Sequence, residues 1–261
     1  MGRTVAIVQA RMGSTRLPGK ILLPLAAQSV LGHVLTRLAA VPDIDGVCCA
    51  TTYLAEDDAV AEEAERHGAS VYRGSAEDVL ARYAGAAQAM DAAVVLRVTS
   101  DCPAIDPAIC GALLDLRAQA GAAYAANNMP ASWPHGLDCE AFTRDALNEA
   151  DANANRIFER EHVSPWMREK DGLPRANLMA PPGISSGCRW TLDYAEDYAF
   201  FEALYSHLPS GPEGYCMAAV LAILADRPEI SEINRSRHGA TKSAPFGILN
   251  NPTNIKSEQH A

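Results

Sequence analysis

The sequence predicts an α/β protein whose core is a mainly parallel sheet flanked by helices. Three observations carry that prediction. Short apolar runs, Val5-Ala6-Ile7-Val8 and the stretches at 47–53 and 93–98, have the length and β-branched content of buried strands. Each is followed by a segment with apolar residues at helical spacing, the alternation that builds parallel sheets. At 261 residues and 48% hydrophobic content the chain can bury one large core or two small ones.

Its totals narrow the function classes. With 32 acidic against 22 basic residues and a net charge of −10, the chain lacks the broad basic balance of a nucleic-acid binder. No apolar run reaches the roughly 18 residues of a membrane span, and the N-terminus has no signal-peptide core, so the cytoplasm is the expected location and no membrane partner is expected. The seven cysteines, Cys48, Cys49, Cys102, Cys110, Cys139, Cys188 and Cys216, form no C-x-x-C pair. They are expected to be small buried hydrophobes, and a zinc site is not expected.

The first strand runs into IVQARMGSTRLPGK, residues 7–20. Gly13 lets backbone approach an anion, Ser14 and Thr15 donate hydrogen bonds, and Arg11, Arg16 and Lys20 offset charge. No Asp or Glu precedes Asp43, so this stretch is cationic in an acidic chain. It reads as a phosphate cradle, with Gln9 and Ala10 at its entry as further nucleotide contacts; a solvated basic turn is the alternative. The spacing is neither G-x-x-x-x-G-K-[ST], because Ile21 follows Lys20, nor G-x-G-x-x-G.

Ser29 is expected to cap a helix through about Ala40, and 47–53 to form the second strand. The stretch 56–67 reads as an acidic helix with a solvated face, closed by Gly68. A short strand at 69–72 leads to a helix at 77–90, entered through a cap at Ser75 with Asp78 three residues on. The strand at 93–98 then delivers Asp101 to the carboxyl end of the sheet, where open α/β folds bind ligands. One Asp there suits Mg²⁺, which takes one or two carboxylates plus phosphate and water oxygens, although an Asx turn before Cys102-Pro103 is also open.

A helix is expected at 106–120 and a strand at 122–126. Residues 127–135 are rich in turn formers, and 136–142 reads as a strand entering a smaller lobe spanning about 127–186. Asp138 and Glu140 alternate on one side of it, facing either a cleft or solvent. One helix is expected at 155–169. A short β-run then ends in Asp193, again a strand-terminal carboxylate or alternatively a helix cap. A helix at 215–225 follows, and from Arg235 the polar composition reads as a tail, giving one domain over 1–234 and a tail over 235–261.

The stretch IVQARMGSTRLPGK-x-L-x-P-L closely resembles the N-terminal signature of the cytidylyltransferase family that includes the SpsF-type spore-coat polysaccharide proteins and the synthetases of CMP-sialic acid and CMP-Kdo. The resemblance covers roughly Val5 to Ile233 and implies the glycosyltransferase-A-like nucleotide-diphospho-sugar transferase fold. It implies transfer of a cytidylyl group from CTP to a sugar-like acceptor with Mg²⁺ as cofactor, held by Asp101 and Asp193. By the same resemblance Arg73, Gly74, Ser75, Arg97 and Ser100 lie near the nucleotide. His135, Asp138, Glu140, His162 and Arg189 fall in motifs similar to those facing the acceptor, and homodimerisation is implied, with the surface near Trp133 as one contributor.

Overall fold

The protein is described here by a computed structural model that covers residues 2–238. The first strand, β1 (Arg3–Gln9), is followed by a two-residue hairpin of β2 (Pro24–Leu25) and β3 (Gln28–Ser29). Helix α1 (Val30–Ala39) starts where the Ser29 Oγ accepts a hydrogen bond from the Gly32 N–H at 2.8 Å. Then come β4 (Gly46–Thr52), α2 (Asp58–Arg66), β5 (Ser70–Gly74), α3 (Val79–Ala89), β6 (Ala92–Thr99) and α4 (Pro107–Gln119). Asp106 caps α4 through the Ala108 and Ile109 N–H groups. After β7 (Tyr124–Ala126) and β8 (Glu140–Thr143) follow α5 (Arg144–Asn153), α6 (Ile157–His162), α7 (Pro165–Glu169) and β9 (Arg175–Asn177). Helices α8 (Ala195–Tyr205), α9 (Met217–Asp226) and α10 (Pro228–Ile233) complete the order.

Seven strands form one sheet in the order β5-β4-β1-β6-β8-β7-β9. Pairs β4–β5, β1–β4, β1–β6 and β7–β9 are parallel, and β8 runs antiparallel to both its neighbours. The segment read as a smaller lobe therefore contributes β8 and β9 to this same sheet.

The alternation along β1 explains the layering. Ala6 and Val8 face a core shared with α1, α2, α4 and α8, whereas Val5 and Ile7 face one shared with α3 and α5. Both faces are covered, so β1, β4 and β6 read as continuous apolar runs. Each fully buried Val, Leu or Ile contributes roughly 1.5–3 kcal/mol to this arrangement.

Two expectations need correction. The helix at 155–169 is broken into α6 and α7 at Val163, whose φ is 69°. Pro165 contributes by having no N–H to continue the helical ladder to Glu161 and a ring that crowds that carbonyl; it stands instead at the first position of α7, where no such bond is needed. The acids of the 56–67 helix are not all solvated, because Asp57 is 0% and Glu63 5% exposed. Of the expected C-terminal tail, Arg235–Arg237 form a short 3₁₀ turn, and residues 239–261 lie outside the described residues.

Candidate functional site

The parallel strands β1, β4, β5 and β6 end on one edge, and the loops leaving them build the site. The loop after β1 is folded by its own backbone and by a buried acid. Gly19, at φ 68°, returns the chain so that its N–H reaches the Met12 carbonyl at 3.3 Å. The Met12 N–H donates at 2.6 Å to Asp57, whose other oxygen accepts from the Thr52 hydroxyl at the end of β4. Asp57 thus anchors the cradle to the neighbouring strand. Sequence reasoning missed it; the available signal was its position just beyond a strand end.

This folding places Lys20 at the start of a 3₁₀ turn pinned by the buried Ile21. Its ammonium donates to Asp101 Oδ2 at 2.9 Å, Asp193 Oδ1 at 2.9 Å and the Leu192 carbonyl at 2.7 Å. The two strand-end carboxylates, far apart in sequence, therefore meet on one cation. Their backbones are laced as well, because the Leu192 N–H and the Thr191 hydroxyl both donate to the Asp101 carbonyl. Thr99 donates to Asp101 Oδ1 at 2.6 Å and orients that carboxylate.

Asp193 is not the cap of α8. The cap residue is Tyr194, and Asp197 in the first turn reaches back to accept from the Asp193 and Tyr194 N–H groups at 3.0 Å. Asp193 is thereby left to face the cluster, with Arg16 at 3.1 Å and Arg189 at 3.3 Å from its Oδ2. Arg189 also clasps Asp197 at 2.7 and 2.8 Å, and Asn234 donates to the same carboxylate. Burial opposes the charge on Lys20, but the Asp101 and Asp193 carboxylates outweigh it and raise the pKa. Burial would likewise raise Asp101, and the Lys20 ammonium with the Thr99 hydroxyl draws it below the usual carboxylate range.

Other expected nucleotide contacts line the same edge. Arg11 is exposed and reaches the Ala76 carbonyl at 3.3 Å, while Gly13, Ser14 and Thr15 form the cradle's outer turn. Gly74 and Ser75 close β5, where Arg73 bonds the Thr52 carbonyl and pairs with Asp58 at 2.7 Å. Ser75 accepts from the Glu77 and Asp78 N–H groups, but the cap of α3 is Asp78, which accepts from Ala81 at 2.9 Å. Ser100 is buried and Ala10 pairs with the Ala50 carbonyl.

Arg97 and Glu140 do not face the cleft. They sit opposite each other on β6 and β8 and form an ion pair that also takes in Arg168 and the Tyr124 hydroxyl. Glu140 is 2% exposed, and the groups around its carboxylate are Arg97, Arg168 and Tyr124. Burial opposes its ionisation, yet Arg168 and Arg97 hold its pKa well below the usual carboxylate range. Arg97 instead donates to Gln9 Oε1 at 3.1 Å and steadies the cradle's entry from beneath.

His135 and Asp138 do lie near the cluster. The His135 carbonyl accepts from the Trp190 N–H at 2.6 Å, and Asp138 accepts from Asn128 at 3.2 Å and from the Gly136 N–H at 2.9 Å. Burial first, and then the Asp101 and Asp138 carboxylates, push the Cys102 thiol up. His162 is exposed on α6 with its ring 4.5 Å from that of Phe158, outside the cluster. The neighbouring Arg160 ties α6 to the start of α3 through Asp78.

Among the described residues no group of three or more His, Cys, Asp or Glu is arranged to cage a metal. Two carboxylates converging on one cation nevertheless fit Mg²⁺, which keeps waters and takes phosphate oxygens for its remaining ligands. A separate hollow of about 500 Å³ lies between the β2–β3 hairpin and α2, lined by Gln28, Ser29, Glu63 and His67. No helix among the described residues is long and apolar enough to cross a membrane.

Known proteins share this architecture. A family model described as cytidylyltransferase matches residues 5–197. The spore coat polysaccharide biosynthesis protein SpsF of Bacillus subtilis is 30% identical over 222 residues, 82% of this chain and 90% of its own length. A solved cytidylyltransferase from Leptospira borgpetersenii serovar Hardjo-bovis is 32% identical, with 88% of this chain and 97% of that one covered at a TM-score of 0.82. A CMP:2-keto-3-deoxy-manno-octonic acid synthetase complexed with CTP, 19% identical, shares the fold at a TM-score of 0.63 over 78% of this chain and 98% of its own. The fold is the nucleotide-diphospho-sugar transferase fold expected from the resemblance. A match of this extent, backed by a solved relative over nearly the whole described chain, means that the protein belongs to the cytidylyltransferase family.

Proposed function

We propose that the protein transfers a cytidylyl group from CTP to a sugar or sugar-acid acceptor, releasing pyrophosphate, in the making of a surface polysaccharide or glycoconjugate. The observation that carries this reading is the convergence of Lys20, Arg16, Asp101 and Asp193 at the carboxyl edge of the sheet. An acceptor oxygen attacks the α-phosphorus in line, the bond to the departing pyrophosphate oxygen breaks, and the acceptor's proton is lost to solvent. Arg11, Arg16 and Lys20 bind the triphosphate and neutralise charge as it builds on the leaving group. Asp101 and Asp193 would hold Mg²⁺, which supplies a Lewis acid that polarises phosphate oxygen. Asp197 and Arg189 keep Asp193 in place, and Gly74 with Ser75 borders the nucleoside.

His135 and Asp138 are the acceptor contacts we favour, because His135 bridges to Arg189, which pairs with Asp193, and both side chains keep about a third or more of their surface open. Such catalysis rests on positioning and electrostatics, so no dedicated general base is assigned.

The test is pyrophosphate release with CTP and Mg²⁺ against a panel of sugar acids and sugar phosphates, preceded by a thermal-shift screen of nucleotides. A nucleotide at 100 times its dissociation constant stabilises the folded chain by about 2.7 kcal/mol, a readable shift. A Mg²⁺-dependent shift selective for CTP supports the reading. Stabilisation by a nucleoside diphosphate-sugar, with none by any triphosphate, would overturn it.

A further inference from the structure

The position of Lys20 has a consequence for the order in which ligands arrive. Its three N–H bonds are taken by Asp101, Asp193 and the Leu192 carbonyl, so the ammonium sits between the two carboxylates rather than out in the cradle. The Lys20 side chain is 12% exposed, against 47% for Arg16, which is the cation open to an arriving polyanion. The surrounding charges are already balanced: Asp101, Asp193 and Asp197 are met by Lys20, Arg16 and Arg189. A divalent cation entering beside a retained Lys20 would sit against three like charges. A triphosphate changes that balance, because its oxygens offer the ammonium another partner and bring the negative charge the metal needs.

We propose that Lys20 is the resident counter-ion of the metal seat, and that nucleotide binding draws it onto the triphosphate and thereby opens the seat to the divalent cation. This rests on the reading of Asp101 and Asp193 as the metal carboxylates. The side chain suits such a role, being a compact charge on a flexible four-carbon stem while its backbone is pinned by the buried Ile21. The cation and the nucleotide then bind in concert, and the seat does not fill with metal while the cradle is empty.

The test measures free Mn²⁺ by electron paramagnetic resonance with the full chain and no nucleotide. Lys20→Met, of similar length and uncharged, should bind Mn²⁺ more tightly than the parent by on the order of tenfold, an ordinary coupling between neighbouring sites. Lys20→Arg keeps the charge and should show no gain, and adding Asp193→Asn to Lys20→Met should abolish it. A purely structural lysine would give the parent's Mn²⁺ affinity in Lys20→Met, and that result overturns the proposal. Should Lys20→Met melt early, its rise in melting temperature along a Mn²⁺ series is read instead; a rise no larger than the parent's also overturns it. Asp101→Asn and Asp193→Asn, measured with CTP present, separate the two claims. If they keep the parent's Mn²⁺ binding, the metal seat itself is wrongly assigned. If they lose it while Lys20→Met gains nothing, the metal seat stands and only the displacement by Lys20 fails.

Discussion

Two clusters of basic side chains and carboxylates are carried by the same sheet, one across β6 and β8 and one in the loops at its carboxyl edge, and they are built to opposite ends. Around Glu140, Arg97 and Arg168 close on a carboxylate that is 2% exposed, with Tyr124 as a third partner. Around Lys20, whose side chain is 12% exposed like those of Arg97 and Arg168, the carboxylate Asp101 keeps 26% of its side chain exposed and Arg16, paired with Asp193, keeps 47%. In the first cluster no water can replace a lost partner, so removing one strands a buried charge. In the second, solvent and incoming phosphate can take over the contacts of Arg16 and Asp101, so those two ions can exchange partners at less cost. Burial, and not residue type, separates the structural ion cluster from the one assigned to chemistry.

Substitutions should divide accordingly. The largest effect is expected for Glu140→Ala, which leaves Arg97 and Arg168 buried without their carboxylate and should lower unfolding free energy by about 3–5 kcal/mol in urea denaturation. A loss below about 1 kcal/mol would erase the distinction. Next comes Asp101→Asn, which should cut pyrophosphate release by about 10²-fold, a barrier change of about 2.7 kcal/mol. Its urea midpoint should stay near the parent's; a large drop there would make Asp101 structural.

Acid titration sharpens the contrast further. The folded-state pKa of Glu140 is depressed, so its stabilisation is complete above the unfolded value of about 4.3 and is lost as pH falls below it. Stability should therefore decline by up to about 1.4 kcal/mol per pH unit for this one proton, and Glu140→Gln should flatten that decline. An unchanged acid limb in Glu140→Gln would show that the depression is not real. The smallest effect is expected for Arg16→Ala. With half its side chain in solvent it should lose about tenfold in turnover, about 1.4 kcal/mol, with no measurable change in stability.

The same division marks what the sequence disclosed. Elements set by local chemistry were legible: the strand expected at 93–98 is observed at Ala92–Thr99, Ser29 caps the helix expected of it, and the helix expected at 106–120 is observed at Pro107–Gln119. That Lys20, Arg16, Asp101 and Asp193 come together was expected because strand ends and a basic glycine loop are local signals joined to a family signature. What escaped depends on pairing across the fold. Arg97 and Glu140 are ladder partners only because β8 inserts antiparallel beside β6, a register that no periodicity within either segment encodes. Asp57 looked like one more acid at the start of a solvated helix, and its burial follows from the cradle folding down upon it. Asp78 rather than Ser75 caps α3 because Ser75 is already engaged in the turn before it.

Lys20 and Asp193 stand 173 residues apart in sequence. A ribosome adding roughly 5–20 residues per second needs on the order of ten to thirty seconds to make the second after the first. About halfway through that interval Asp101 joins the loop after β1, but Asp193, the second carboxylate on Lys20, does not yet exist. The nascent chain therefore passes through most of its manufacture without the cluster proposed as its active site, which is completed only as the last third of the fold closes.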